Sequence, residues 1–494
     1  MAEAAAPAGG YDLVIRNGRV IDGTGAPARL ADVVVADGRI AALGDLSGVR
    51  AGREIDARDR IVAPGFIDAH THDDGALLAT PEMAAKISQG VTTVIAGNCG
   101  VSLAPLDLAA RGLDGPPPPL DLLGETGLFR FPDFAGYLDA LDGAPAAVNA
   151  AFLVGHSTLR LGAMARLDRG ADAGEIATMR ATLDAALEVG ALGLSSGLFY
   201  APAKAAPTDE VIALAAGMAG TGAIYATHMR DEGDHVIPAL DEAFAIGRAA
   251  GVPVVISHHK VLGVENFGRT RETLALIERA ARAQTVGFDV YPYIASSTVL
   301  NAESVAQAAR TVITWSRARP EFAGRDLDAA AAALGCPRDQ AIDRLQPAGA
   351  VYFAMDEDDV RRVLSCPRAM IGSDGLPFDE RPHPRLWGTF PRVLGHYARE
   401  VGLFSLEEAV HRMTGLPAAT FGLAGRGAVA PGAAADLVVF DPETVIDRAS
   451  FEEPIRAAAG IALVIVNGTP VWQDGAPSGA RPGRVLRRGA EGVA

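Results

Sequence analysis

The chain has 494 residues, of which 49% are hydrophobic and 21% are charged, and its formal net charge at pH 7 is −16. This composition is typical of a globular protein with an ample core, and the length favours two or three domains. The acidic net charge argues against nucleic acids and anionic membranes as partners, because both require a basic surface. An anionic ligand must therefore be held by local cations.

Three cysteines (Cys99, Cys336 and Cys366) give no disulfide framework, which fits a reducing compartment. Residues 1–10 lack the basic and apolar regions of a signal peptide, and we expect a disordered leader there. No apolar run reaches the length of about 18 residues that crosses a bilayer. We expect a cytoplasmic location, and the sequence leaves the oligomeric state open.

Both ends of the chain carry short β-rich runs followed by turn signals. Asn17-Gly18 and Asp37-Gly38 follow such runs near the N-terminus, and Asn467-Gly468 follows one near the C-terminus. These dipeptides predict hairpins, because both turn positions need positive φ. We expect residues 1–62 and 415–494 to join as one small β-sandwich.

Residues 63–414 alternate between apolar runs and helix-like stretches, which predicts an α/β fold. Eight apolar runs occur, at residues 66–72, 92–99, 149–156, 190–197, 224–230, 254–260, 287–293 and 369–374. Eight such units predict a (β/α)8 barrel whose active site lies at the C-terminal ends of the strands. An insertion at about residues 298–350 interrupts the alternation, and long loops over a barrel mouth commonly act as lids or specificity elements.

Side chains that bind metals stand at the ends of these runs. His70 and His72 end the first run, and residues two apart in an extended strand project to the same face. Later runs end in four further donors: Cys99, His228, His258 and Asp374. Nitrogen, sulfur and carboxylate donors are the ligands that zinc prefers. The sequence therefore predicts a zinc-dependent hydrolase.

Three neighbouring positions are candidates for other roles. Asp374 ends the last run, where a carboxylate can bind metal and act as a general base toward water. Lys260 shares the face of His258, so it can polarise a carbonyl or hold a carboxylate. His156 ends the third run and is either a supporting group of the site or an ordinary buried imidazole.

Seven segments resemble the amidohydrolase superfamily and, within it, the N-acyl-D-amino-acid deacylases (D-aminoacylases). They are residues 63–72, 97–100, 227–232, 257–260, 289–293, 371–375 and 383–388. The most specific of them are Gly-Asn-Cys-Gly and Ser-His-His-Lys. The resemblance covers nearly the whole chain and implies zinc-dependent hydrolysis of N-acyl-D-amino acids to a carboxylate and a D-amino acid. The preference for the D enantiomer rests on the resemblance alone.

The resemblance also implies roles for individual residues. It implies a tightly held zinc ion on Cys99, His228 and His258. It implies a second, weaker site on His70 and His72 that Cys99 can bridge, with Asp374 as the catalytic aspartate. Four further positions match residues that contact the carboxylate or carbonyl of the substrate: Lys260, Tyr291, Ser297 and Arg385.

Alternative functions stay open at this point. A cyclic amidase of the hydantoinase or dihydroorotase type typically carries a carboxylated lysine at the end of strand four, where residues 194–197 contain none. A mononuclear deaminase could use Glu232 as a proton shuttle, but Cys99 does not suit it. A non-enzymatic barrel is disfavoured by the full set of metal donors. Arg385 could instead be a surface residue paired with Asp379 or Glu380.

Overall fold

The fold is described from a computed structural model, which describes residues 10–489. The predicted disordered leader lies outside this range except for Gly10. The strands in chain order are β1 (Tyr11–Val20), β2 (Arg29–Ala36), β3 (Arg39–Gly44), β4 (Ala51–Asp56), β5 (Ile61–Pro64), β6 (Phe66–Asp68), β7 (Val91–Ala96), β8 (Leu106–Asp107), β9 (Arg130–Phe131), β10 (Asn149–Gly155), β11 (Gly193–Gly197), β12 (Ile224–His228), β13 (Val254–Ile256), β14 (Val286–Val290), β15 (Ala295–Val299), β16 (Arg310–Ser316), β17 (Ala348–Phe353), β18 (Ala369–Ile371), β19 (Leu437–Phe440), β20 (Ile461–Val466), β21 (Thr469–Gln473) and β22 (Ala476–Pro477).

The α-helices in chain order are α1 (Ala76–Ala79), α2 (Ala84–Ile87), α3 (Phe134–Gly143), α4 (His156–Ala163), α5 (Ala173–Glu188), α6 (Ala201–Lys204), α7 (Thr208–Ala215), α8 (Val236–Ala250), α9 (Thr270–Ala280), α10 (Ala302–Gln307), α11 (Leu327–Leu334), α12 (Arg338–Leu345), α13 (Glu357–Leu364), α14 (Arg385–Arg392), α15 (Leu406–Met413) and α16 (Gly415–Phe421). A π-helical stretch, Val393–Glu400, continues α14. Among the described residues, no helix is long and apolar enough to cross a membrane.

Eight parallel strands form the predicted barrel. Their order is β6-β7-β10-β11-β12-β13-β14-β18. Each lies within one of the eight apolar runs, except that β7 and β14 begin one residue earlier than their runs. Backbone hydrogen bonds close the seam between the first and last strands, from Ala69 N to Ile371 O at 3.2 Å and from Asp374 N to His70 O at 2.9 Å. One buried cluster, with members from six strands, fills the interior: Ile67, Ile95, Leu153, Ala226, Val255 and Met370. The (β/α)8 prediction is confirmed.

The two chain ends join, as expected, in one sheet of nine strands. Its order is β22-β21-β20-β19-β5-β1-β2-β3, and β4 also pairs with β1. The sheet has its own core, which includes Ile15, Val33 and Ile465. The hairpin predicted at Asn17-Gly18 is wrong, because β1 runs on through a bulge there and pairs with three strands. The turns at Asp37-Gly38 and Asn467-Gly468 do join antiparallel neighbours.

The insertion is a small unit beside the barrel mouth. Strands β15, β17 and β16 form an antiparallel sheet, and α10, α11 and α12 pack around a core that includes Ile313, Leu345 and Ala350. The domain boundaries at residues 62 and 414 stay a prediction, and β5 continues across the first of them. The start of the insertion adjoins a cleft at the C-terminal ends of the barrel strands.

Candidate active site

His70 and His72 emerge side by side just beyond β6. Both imidazoles are buried, and their ring centroids lie 5.5 Å apart. His70 Nδ1 lies 3.2 Å from Asp289 Oδ2, and His72 Nε2 lies 3.2 Å from Asp374 Oδ1. The two side chains therefore lie on the same face, as expected of His-x-His, and each imidazole contacts a carboxylate.

Cys99 follows β7 in a tight turn with φ +53°. Its Sγ lies 3.2 Å from His70 Nε2 and 3.2 Å from His258 Nε2. Gly100, with φ +75°, passes so close to the end of β11 that a Cβ there would lie 2.5 Å from the backbone N of Gly197. The turn that presents the thiol therefore needs glycine both for its backbone conformation and for space.

His228 ends β12, and His258 follows β13 with φ +37°. Their ring centroids lie 4.6 Å apart. Two groups of potential ligand atoms, each within 4.8 Å of one another, share His258: one is His70, Cys99, His258 and Asp374, and the other is His228, Glu232 and His258. Five of the six donors predicted from the strand ends lie in these two groups, and the sixth, His72, contacts Asp374 Oδ1 at 3.2 Å.

Charge is concentrated in this cluster. Burial alone would raise the pKa of the Cys99 thiol, but the imidazoles of His70 and His258 hold it well below its usual value. Burial likewise opposes ionisation of Asp374, yet the nearby Arg385 and His258 keep its pKa well below the usual range. Burial lowers the pKa of His228, whereas in His70, His72 and His258 the nearby anionic groups outweigh burial and raise the pKa. The thiolate and the neutral imidazole are the forms that bind metal.

Lys260 lies at the same mouth but is already paired. Its Nζ lies 2.8 Å from Glu232 Oε2 and 2.8 Å from His258 Nδ1. Glu232 also lies 3.1 Å from His258 Nδ1, and the Lys260 ammonium, after burial the largest influence, holds the pKa of Glu232 well below its usual value. The carboxylate and the ammonium therefore support the far side of the His258 ring.

Arg385 is the first residue of α14 and is fully buried. Its Nη1 pairs with Asp374 Oδ2 at 2.7 Å, and its Nη2 donates to the carbonyl of Ser297 at 2.9 Å. The alternative of a surface arginine paired with Asp379 or Glu380 is wrong, because the side chain is buried and pairs with the carboxylate of Asp374.

The Tyr291 ring lies between the two cations. The Arg385 guanidinium carbon lies 4.6 Å from the ring centroid and Lys260 Nζ lies 5.7 Å from it. The Tyr291 hydroxyl is buried and has no hydrogen-bond partner among residues 10–489. Ser297 Oγ donates to Ala350 O at 3.2 Å. The four positions that the resemblance implied for substrate contact thus lie around one site.

A cleft opens above these groups. One wall comes from the loop after β11, with Phe199 and Tyr200. The facing wall comes from β15 and α10 at the start of the insertion, with Ser297, Thr298, Ser304 and Gln307. Tyr200 Oη lies 3.2 Å from Thr298 Oγ1, so the two walls touch across the opening. The insertion therefore forms part of the ligand cleft, as a lid or specificity element would.

Known proteins are similar to this chain along almost its full length. A model of the amidohydrolase family matches residues 53–472. A D-aminoacylase of Alcaligenes xylosoxydans xylosoxydans is 58% identical over 97% of this chain and 98% of its own. The chain belongs to the amidohydrolase family and, within it, to the N-acyl-D-amino-acid deacylases. An N-acyl-D-aspartate deacylase of the same organism is 54% identical over 97% of this chain and 95% of its own.

Solved structures of this family have the same fold throughout. A D-aminoacylase with a binuclear metal centre, studied for one-metal activation and second-metal attenuation, has a TM-score of 0.94 at 58% identity, covering 97% of this chain and 100% of that one. An N-acyl-D-glutamate deacylase of Bordetella bronchiseptica, complexed with zinc and a phosphonate mimic of the tetrahedral intermediate, has a TM-score of 0.93 at 49% identity, with the same coverage.

The donor set of this deacylase family member fits zinc. Cys99, His258 and His70 converge with their sulfur and nitrogen atoms in contact range, and all three are buried. His228 Nδ1 is buried without a hydrogen-bond partner in the described part of the chain. Such a set of close, mutually facing donors is the arrangement expected around a catalytic zinc ion.

Two carboxylates of the site were missed in the sequence, or were given another role. Asp289 accepts hydrogen bonds from the backbone N of His258 and lies against the His70 ring. Glu232 was considered only as the proton shuttle of a deaminase. Both residues stand in segments that resemble the family, Asp-Val-Tyr-Pro-Tyr for Asp289 and Thr-His-Met-Arg-Asp-Glu for Glu232, and this position could have indicated a role in the site. Carboxylates that orient ligating histidines are a regular feature of metal sites.

Two other histidines lie away from these groups. His156 opens α4, and its Nε2 lies 2.9 Å from Glu210, so it is an ordinary buried imidazole. His259 turns the opposite way from His258 and meets Thr273 of α9 at 2.9 Å. Neither contributes to the cluster of metal donors.

Proposed function

We propose that this protein hydrolyses the amide bond of N-acyl-D-amino acids with zinc as its cofactor, giving a carboxylate and a D-amino acid. The observation that carries the proposal is a cluster of buried donors in two groups that share His258, one with His70, Cys99 and Asp374 and the other with His228 and Glu232. The cluster lies under a cleft that is lined by Lys260. The D-aminoacylase relative, at 58% identity over 97% of the chain, supports the substrate class.

We propose that Cys99, His228 and His258 hold the tightly bound zinc. His70 and His72 would hold a second, weaker ion and share Cys99 with the first. When bound, zinc supplies Lewis acidity, which polarises the scissile carbonyl and eases the deprotonation of water. Glu232 and Asp289 keep the His258 and His70 rings in place from behind.

Asp374 is the proposed general base. It lies at the cleft with its Oδ1 3.2 Å from His72, and Arg385 fixes its other oxygen. From there its carboxylate can take a proton from water and later deliver it to the leaving nitrogen of the amine product. General-base groups of this kind contribute about 10²- to 10⁴-fold to rate.

Arg385, Lys260, Tyr291 and Ser297 are the proposed contacts of the substrate's carboxylate and carbonyl. A protein with a net charge of −16 repels anions at long range, so recognition must rest on a few buried cations. Arg385 can reach a carboxylate in the cleft with its planar fork, and the free Tyr291 hydroxyl beside it can donate another hydrogen bond.

The alternatives are less consistent with the site. The end of β11 carries Ser195 and Ser196, which bond to Gly97 and Tyr225, where a cyclic amidase would need a lysine. Glu232 has partners at both oxygens, His258 Nδ1 at 3.1 Å and Lys260 Nζ at 2.8 Å, which favours a supporting role over that of a proton shuttle. Three free thiols fit a reducing compartment, so we also infer a cytoplasmic location.

A screen of N-acetyl-D- and N-acetyl-L-amino acids tests the proposal. We expect release of acetate and the free amino acid from D substrates only, with no ammonia. The panel should include neutral, acidic and basic side chains, since the cleft-lining insertion decides that preference. Ammonia release would indicate a deaminase, and hydrolysis of cyclic amides alone would indicate the hydantoinase type.

A further inference from the structure

A buried lysine lies beneath the active site and belongs to none of the groups described so far. Lys86, in α2, is 1% exposed. Its Nζ lies 2.8 Å from Asp68 Oδ2, 3.2 Å from Asp73 Oδ2 and 2.9 Å from Ser373 Oγ. The contacts with Asp68 and Ser373 are hydrogen bonds, and the Asp73 carboxylate is an ion-pair partner of the same ammonium.

The three partners of Lys86 come from both sides of the seam where β6 meets β18. Asp68 is the last residue of β6, two residues before His70, and Asp73 follows His72 directly. Ser373 stands immediately before Asp374, just beyond the end of β18. Asp68 Oδ1 also accepts from Ser373 N at 2.7 Å, so the seam is joined twice at this level.

These contacts lie directly beside the histidines and the carboxylate of the proposed reaction. Beyond the seam, His72 Nε2 and Asp374 Oδ1 lie 3.2 Å apart, and Asp374 N donates to His70 O at 2.9 Å. His72 and Asp374 each adjoin a partner of Lys86 in the sequence, Asp73 and Ser373 respectively. His70 lies two residues after the third partner, Asp68. A displacement of about 1 Å between catalytic groups can cost on the order of 10² in rate.

We propose that Lys86 is a positioning residue of the active site. By tying Asp68 and Asp73 to Ser373, its ammonium sets the distance between the His70–His72 pair and the catalytic carboxylate of Asp374. It touches neither substrate nor metal. The inference rests on the proposed function for the role of Asp374, but the geometry of the seam stands by itself.

Two variants test it. Lys86→Met removes the ammonium and keeps the length of the side chain, and Ser373→Ala removes a single link without changing charge. We expect kcat to fall about 10- to 100-fold in the first and several-fold in the second. KM should stay within twofold in both, because the partners of Lys86 do not include Lys260 or Arg385.

A second readout does not depend on turnover. Lys86→Met should weaken the binding of a second zinc ion, on His70 and His72, about tenfold or more, while the first equivalent of zinc stays bound. If the wild type fails to hydrolyse N-acyl-D-amino acids, this change in zinc affinity still tests the inference, and the two failures are distinguishable. An unchanged second-zinc affinity would overturn it.

Arg160→Met is the matched control, because Arg160 is also a fully buried cation, paired with the buried Glu210 outside the active site. It should lower the melting temperature without changing kcat per folded molecule or zinc affinity. If Lys86→Met behaves in the same way, Lys86 only stabilises the fold and the inference is wrong. If Lys86→Met does not fold, Ser373→Ala decides by the same criteria.

Discussion

Asp374 is held by two partners, one at each carboxylate oxygen. His72 contacts one carboxylate oxygen at 3.2 Å, and Arg385 contacts the other at 2.7 Å. These contacts aim the carboxylate into the cleft and keep it ionised despite its burial. A general base needs both, because its efficiency depends on its position and on its being deprotonated.

Replacing Asp374 by asparagine separates these functions. Asp374→Asn keeps the shape and removes the proton acceptor, so kcat should fall by about 10² or more. Zinc content should stay near that of the wild type, because Cys99, His228 and His258 are intact. Steady-state kinetics together with metal analysis check this. An unchanged kcat with a raised KM would make Asp374 a binding group instead.

Arg385 serves both the substrate and the catalytic carboxylate in this account. Arg385→Lys keeps the charge but loses the fork, which in the structure contacts Asp374 and the Ser297 carbonyl at once. We expect KM for free N-acyl amino acids to rise about tenfold or more, on the scale of 1.5–3 kcal/mol for a charged hydrogen bond. A fall in kcat should accompany it.

Substrates with an amidated carboxyl group provide the control for this variant. They should be poor substrates of the wild type, and Arg385→Lys should leave their KM unchanged. An equal rise in KM for both substrate types would mean that Arg385 supports the fold rather than gripping a carboxylate.

At the scale of elements, the turn after β7 fixes where the thiol lies. A Cβ at Gly100 would meet the backbone of Gly197, whereas a Cβ at Gly112, which also has positive φ, would meet nothing within 4 Å. Gly100→Ala should therefore lower the melting temperature and the zinc content together. Gly112→Ala should cost only the backbone strain, about 1–2 kcal/mol, and keep the zinc. Equal zinc content in the two variants would contradict this.

The strand ends were predictable from the sequence because an apolar run fixes where a buried strand stops. Cys99, His228 and Asp374 could be placed at one mouth on that ground alone. The partners of these residues could not, since Asp289 lies 219 positions from His70 and only the closed barrel brings them together. Asn17-Gly18 misled for a similar reason, because whether the dipeptide forms a turn or a bulge depends on strands that pair with β1 from elsewhere.

The motif segments carried what spacing could not. Tyr291, Ser297 and Arg385 were implied by the family resemblance, and the structure places them around one site. Their contacts were not evident in advance: the helix that begins at Arg385 turns its guanidinium toward Asp374, away from the acidic residues nearby in sequence.

For the whole molecule, the metal site should contribute to stability. The donors come from separate barrel strands, so they are brought together only in the folded state. A ligand that binds only the folded state stabilises it by about 4 kcal/mol at a thousand times its Kd. Chelation should therefore lower the melting temperature by several degrees, and added zinc should restore it.

The variant Cys99→Ala is the control for this stability effect. It lacks the sulfur shared by the proposed ligand sets, so its melting temperature should respond little to chelator or zinc. A response equal to that of the wild type would place the stabilising metal elsewhere in the molecule.

The most direct test of the central claim is a zinc titration of the metal-free protein, followed by the rate of hydrolysis of an N-acetyl-D-amino acid. We predict that the metal-free protein is inactive and that activity rises in proportion to the first equivalent of zinc, with the L enantiomer inert throughout. Full activity without metal, or equal activity on the L enantiomer, would contradict the account.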